Sequence, residues 1–239
     1  MKFKHQFSRM AYYENEWLLP DLESTYQYNF SNNYEKLEKN GWIDYDTFTY
    51  KLNGFGFRFQ SIGDKNLIVI GCSFTFGIGI PFEKTWPYIV ANYLGLNCLN
   101  LAVPGCSAYS AFRIAYHSLK TITPDMVLFL CPPNDRMPVL GNLSMYDIGP
   151  WVFGSNKKNY EYVNQYALEY YKEYILFEEN LVLQEEMSRL ALKQICNQYQ
   201  IKYLDLYLKD FDFVDLGRDL SHPGILSHAK FAENVLIKL

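Results

Sequence analysis

The sequence predicts an α/β fold on a mostly parallel sheet of about five strands. Three observations carry this. From residue 66 onward, short apolar runs alternate with stretches of helical spacing, the pattern of parallel strands joined by right-handed crossovers. The first run, 67–70, is continuously apolar and stops at Gly71, as a strand buried on both faces does. The 239 residues are 49% hydrophobic and 20% charged, enough for one sizeable core.

In chain order, residues 1–60 read as a polar, aromatic N-terminal extension with no sustained period, carrying Tyr12, Trp17, Tyr26, Tyr34 and Trp42. Asn53-Gly54 between two β-prone runs predicts a short β-hairpin, or an edge strand, packed just ahead of the main sheet. The α/β domain is placed at 61–239. Its strands are expected at 67–70, 97–101, 126–130 and 201–206, with a fifth around 211–214. Helices are expected at 84–94, 108–120 and 225–237. Residues 132–160, punctuated by Pro132, Pro133, Pro138, Gly149 and Pro150, read as a long irregular segment, the usual form of a functional loop or lid. It belongs to an insertion over about 136–180, and a helical stretch over 160–200 breaks near 177–180.

Bulk properties exclude several classes. The net charge of −4, with Lys157-Lys158 as the longest basic cluster, argues against a nucleic-acid partner. No apolar run reaches 18 residues, so no membrane span is expected. Residues 1–20 lack the apolar core of a secretory signal, so the expected location is cytoplasmic, or one reached without a cleaved signal. The five cysteines (72, 98, 106, 131 and 196) have no metal-type spacing and read as reduced, mostly buried small apolar residues.

The chemistry gathers at strand ends, where ligands bind in open α/β sheets. Ser73 follows the first strand; a serine there serves as a cap or, with a base, as a nucleophile. Of the four histidines, His5 lies in the extension and His117 in the second helix. His228 reads as a structural residue of the last helix. His222 alone has a carboxylate at a telling spacing, in Asp219-Leu-Ser-His222. A carboxylate three residues before a histidine reaches its Nδ1 side and fixes the tautomer. Gly105 offers a backbone N–H after the second strand, and Asn134 a side-chain amide after the third, both suited to a developing oxyanion. Arg136 either meets an anionic substrate or pairs with Asp135 on the surface, the second being the expectation.

These segments resemble the four blocks of the SGNH hydrolases, also called the GDSL esterase/lipase family: Gly71-Cys-Ser-Phe-Thr-Phe-Gly77, the Gly105 turn, Asn134-Asp135 and Asp219-Leu-Ser-His-Pro223. The resemblance covers about residues 53–239, Asn53-x-x-Gly56-Phe57-Arg58 included. It implies a flavodoxin-like three-layer αβα sandwich and hydrolysis or transfer of acyl esters; the expected function is a serine esterase acting on an acyl or acetyl ester of a sugar or small alcohol, without cofactor or metal. It implies Ser73 as nucleophile, His222 as base, Asp219 as its orienter, and the Ser73 N–H, Gly105 N–H and Asn134 amide as oxyanion hole. Cys72 stands where the family name has Asp. Pro132 stands where the third block usually has Gly, fixing φ there and removing a donor. Trp151, Tyr146 and Phe153, with Tyr160 and Tyr162, are expected to shape the substrate pocket. An acyltransferase using the same acyl-enzyme, or a binding module that kept the fold, are the alternatives.

Overall fold

The computed structural model describes residues 10–45, 47–59, 61–140, 145–153 and 165–239. Tyr160, Tyr162 and His5 lie outside the described residues. The chain opens with β1 (Glu14–Asn15), α1 (Glu23–Asn32), α2 (Tyr34–Lys39) and β2 (Tyr50–Lys51). The α/β alternation follows: β3 (Asn66–Ile70), the single turn α3 (Ser73–Phe76), α4 (Trp86–Tyr93), β4 (Asn97–Asn100), α5 (Ala108–Ser118) and β5 (Met126–Leu130). Next come β6 (Met137–Leu140), β7 (Met145–Ile148), α6 (Gln165–Leu176), α7 (Glu178–Gln198), β8 (Lys202–Leu206) and α8 (Ile225–Lys238).

The central sheet has four parallel strands in the order β4-β3-β5-β8. Numbered by appearance this is 2-1-3-4, the flavodoxin-like arrangement, whose switch point lies beside the first strand. Alternation sorts the side chains into two layers. Ile68, Ile70, Val127 and Phe129 pack against Ala111 and Ile114 of α5 and Leu192 and Cys196 of α7. Leu67, Val69, Leu128 and Leu130 pack against Trp86 and Val90 of α4 and Phe231 and Val235 of α8. With both faces covered, every residue of β3 and β5 is buried.

Three expectations are corrected. Among the described residues no fifth strand joins the sheet: the 211–214 segment is irregular, and Phe211 stacks on Phe231 with ring centroids 4.4 Å apart. The hairpin at Asn53-Gly54 does not form. Tyr50–Lys51 pairs instead with Glu14–Asn15, and the Asn53 side chain accepts from the Phe55 and Phe57 N–H groups to make a local turn. The segment after β5 is not irregular throughout, because β6 and β7 pair as an antiparallel ribbon. All five cysteines are free thiols, with Cys98 half-buried and the others buried. Among the described residues no helix is long and apolar enough to cross a membrane.

Candidate active site

Parallel strands deliver Ser73, Gly105 and Asn134 to one rim, since each follows the carboxyl end of β3, β4 or β5. Ser73 is buried at the first position of α3, where its N–H has no helical acceptor. Its hydroxyl makes no hydrogen bond to a described residue. Gly105 adopts φ +77°, a conformation that glycine takes without a Cβ penalty, and its N–H likewise meets no backbone acceptor among the described residues. Asn134 is half-buried, and its amide makes no hydrogen bond to a described residue. Pro132 beside it is buried.

The Asp219–His222 loop is tied to that rim from two directions. Gly79, just beyond α3, accepts the Arg218 N–H at 2.9 Å. A Cβ on Gly79 would lie 2.9 Å from the Arg218 nitrogen and 3.1 Å from Asp219 Oδ1, so the close approach requires glycine. The His222 ring stands 5.9 Å from that of Phe74, the residue after Ser73. Behind it, Asp215 accepts from the Leu226 and Ser227 N–H groups at the start of α8, fixing the Pro223-Gly224 exit of the loop.

Within the loop, His222 Nδ1 and Asp219 Oδ2 are 2.6 Å apart. The Ser221 hydroxyl donates to the same oxygen, and the Ser221 and His222 N–H groups donate to Oδ1 at 3.3 and 3.1 Å. Burial alone would raise the Asp219 carboxyl. The hydrogen bond and charge of His222, with the Ser221 hydroxyl, outweigh it and hold the group at about 2. Asp219 is therefore a carboxylate, and it fixes His222 with Nδ1 protonated and Nε2 free to accept. His222 forms its hydrogen bonds with Asp219 and Ser221, and no bond to Ser73 is present.

The N-terminal residues fasten this loop. Arg218, immediately before Asp219, forms a buried ion pair with Asp21 at 2.8 Å and lies over the Trp17 and Phe48 rings. Tyr50 donates to Asp21 and accepts from the Gly79 N–H, both at 2.7 Å. Trp42 Nε1 donates to the Leu216 carbonyl, and Asn40 accepts the Leu216 N–H, both at 2.7 Å. Sequence reasoning missed Asp21, Tyr50 and Arg218, which no local pattern marks.

Of the aromatic residues expected to shape a pocket, Trp151 reaches the rim. Its ring comes within 3.5 Å of where a Gly105 Cβ would stand, and Arg136 lies over it at 5.4 Å. Tyr146 and Phe153 pack within the insertion, Phe153 stacked on Tyr171. The cavity beside Asn134, of about 270 Å³, is walled instead by Tyr109, Tyr170 and Tyr174. The i,i+4 spacing of Tyr170 and Tyr174 was the signal available for two of these. Arg136 does not pair with Asp135 at the surface; it donates to the Cys106 carbonyl at 3.2 Å. His228 is fully buried, and its Nδ1 accepts the Trp86 N–H at the start of α4 at 3.1 Å. His117 is exposed on α5. No cluster of three or more metal-ligating side chains occurs among the described residues.

No family model and no curated protein matches the chain. Among solved structures it is similar to a member of the lipolytic protein G-D-S-L family from Veillonella parvula, at 18% identity over 72% of this chain and 97% of that one, with a TM-score of 0.37. It is similar to a catalytic mutant of an acetylxylan esterase from Geobacillus stearothermophilus, at 15% identity over 74% and 94%, TM-score 0.36. It is similar as well to an acetyl xylan esterase from Butyrivibrio proteoclasticus, at 12% identity over 81% and 67%, TM-score 0.43. All three scores lie below one half, and the function proposed next rests on the geometry of this chain.

Proposed function

We propose that this protein is a serine ester hydrolase acting on an acyl or acetyl ester of a small alcohol or sugar. The observation that carries the reading is the 2.6 Å bond between Asp219 and His222, held beside Phe74 on the rim that bears Ser73. Ser73 Oγ attacks the ester carbonyl carbon while His222 Nε2 takes the hydroxyl proton, and Asp219 stabilises the imidazolium. The negative charge moves to the carbonyl oxygen, which the Ser73 N–H, the Gly105 N–H and the Asn134 amide receive. That these donors are unspent among the described residues supports the assignment. Collapse breaks the bond to the alcohol, which leaves with the proton from His222. Water, deprotonated by the same nitrogen, then releases the carboxylic acid and restores Ser73. The Ser73–His222 bond forms as substrate closes the site, since catalytic hydrogen bonds tighten in the substrate complex. The cavity of about 270 Å³ next to Asn134 suits a small ester.

Intact-mass labelling with a fluorophosphonate tests this. One adduct on the wild type, absent from Ser73→Ala, together with release of acetate from acetyl esters, is the expected result. Absence of an adduct on folded protein, or an adduct that survives Ser73→Ala, overturns it.

A further inference from the structure

The buried arginines of this protein spend their guanidinium groups on the protein itself, and the half-buried Arg136 beside the candidate centre differs from them. Arg58 donates to the carbonyls of Phe76, Gly77 and Ile80. Arg189 pairs with Glu185 and Asp205, and Arg218 with Asp21. Arg136 donates from Nη1 to the Cys106 carbonyl at 3.2 Å, lies against the Cys72 thiol, and forms no salt bridge with a described residue. Its Nε is buried with no partner. Asp135 acts on it through charge alone, and a cation at the edge of the interior that no carboxylate bonds gains from one that does.

Its position says where that charge would come from. Arg136 follows Asn134 by two residues and bonds to the carbonyl of Cys106, so the guanidinium stands at the two loops that carry the proposed oxyanion donors Gly105 and Asn134. The Trp151 ring backs both it and Gly105. Arg136 also lines the cavity of about 270 Å³ that begins at Asn134. The other charged residue on that wall, Glu185, is occupied by Arg189 through two bonds of 3.0 and 2.8 Å. The cavity therefore presents the Arg136 cation, tyrosine walls and an ester-sized space, with Glu185 Oε1 held by Arg189.

We propose that Arg136 is a substrate-binding residue that selects esters carrying a carboxylate close to the scissile carbonyl, on either the acyl or the alcohol side. This rests on the ester-hydrolase reading. A carboxylate meets the guanidinium of Arg136 while the ester carbonyl meets Gly105 and Asn134, so one anion both supplies a counter-charge and orients the ester.

Two matched substrate pairs test it: 4-nitrophenyl hemisuccinate against 4-nitrophenyl butyrate for the acyl side, and O-acetyl-lactate against its amide for the alcohol side. The expected result is a preference in kcat/KM of about tenfold or more for the charged member of one pair, in line with a charge-assisted bond. That preference disappears in Arg136→Met, which keeps an apolar stem, and returns in part in Arg136→Lys. Equal kcat/KM within both pairs, or a preference that persists in Arg136→Met, overturns the proposal. A second readout does not depend on turnover. Monomethyl succinate and methyl butyrate are compared by saturation-transfer NMR on Ser73→Ala and on Ser73→Ala/Arg136→Met. Binding of the charged ester that the second substitution removes supports the anion site even if the serine chemistry fails, and equal binding of both esters overturns it even if that chemistry holds.

Discussion

On the histidine side of the candidate centre the polar groups are spent within the protein, whereas on the asparagine side several are not. Asp219 accepts from two N–H groups, the Ser221 hydroxyl and His222, and Arg218 beside it is consumed by Asp21. Across the rim, the Gly105 N–H, the Asn134 amide and Arg136 Nε have no hydrogen-bond partner among the described residues. The first side is fastened by the N-terminal segment, the second by the insertion. A base has one useful orientation, and a fully satisfied buried network is what fixes it. Donors meant for a ligand must stay unspent until it arrives.

The largest effect expected from breaking the contrast is at Asp219. Asp219→Asn keeps the shape but offers His222 an amide in place of a carboxylate, and turnover should fall on the order of ten-thousandfold. Stability should respond through pH. The folded carboxyl sits at about 2, below its ordinary value of 3.8. A depressed carboxyl stabilises the fold fully above its unfolded value and loses that contribution as pH falls through the folded one. About 2 kcal/mol should therefore vanish between pH 4 and pH 2. Denaturant titrations at pH 6 and pH 3 check this: the gap between wild type and Asp219→Asn should narrow at the lower pH. A constant gap would show that Asp219 carries no such charge dependence.

The next effect is at Asp21, on the same side. Burial raises its carboxyl in spite of Arg218 and Tyr50, so the intact pair is a poor net source of stability. Removing one partner is another matter, because it strands a guanidinium under Trp17 and Phe48. Asp21→Ala should cost about 3–5 kcal/mol, read as a fall in Tm of roughly 6–20 °C for a chain of this size. Asp21→Ala/Arg218→Met should recover most of it. Turnover per folded molecule should stay low in the double variant, since the link from the N-terminal segment to Asp219 is gone. Full activity there would show that the segment only covers the sheet.

How legible these features were depends on whether they are local. The strands β3 and β5 were readable because burial on both faces leaves unbroken apolar runs, and Asp219 and His222 because they lie only three positions apart. The aromatic run at 211–213 reads as a strand, yet Phe211 is taken up by Phe231, tertiary packing overriding propensity. The partner of Tyr50–Lys51 lies at Glu14–Asn15, and Arg218 meets Asp21 across 197 positions. Neither separation leaves a period or a motif in the chain. Arg136 was visible as a residue but not as an unpaired one, because pairing is decided by the fold around it.

The smallest effect is expected on the asparagine side, at Tyr171. Its hydroxyl donates to the Asp135 carbonyl at 2.6 Å, tying α6 to the residue between Asn134 and Arg136. Its ring is fully buried and stacks on Phe153 at 5.6 Å, so Tyr171→Phe removes one hydrogen bond and leaves the packing in place. The net loss should be about 1 kcal/mol, or roughly 2–4 °C in Tm. If this side is fastened by few bonds, the released Asp135 shifts Asn134 and Arg136 together. KM for the ester should then rise while fluorophosphonate labelling of Ser73 persists. A loss as large as that of Asp21→Ala would show the insertion to be as tightly built as the N-terminal clasp. The unspent donors would then be features of a rigid surface, and the contrast between the two sides would lie in their partners alone.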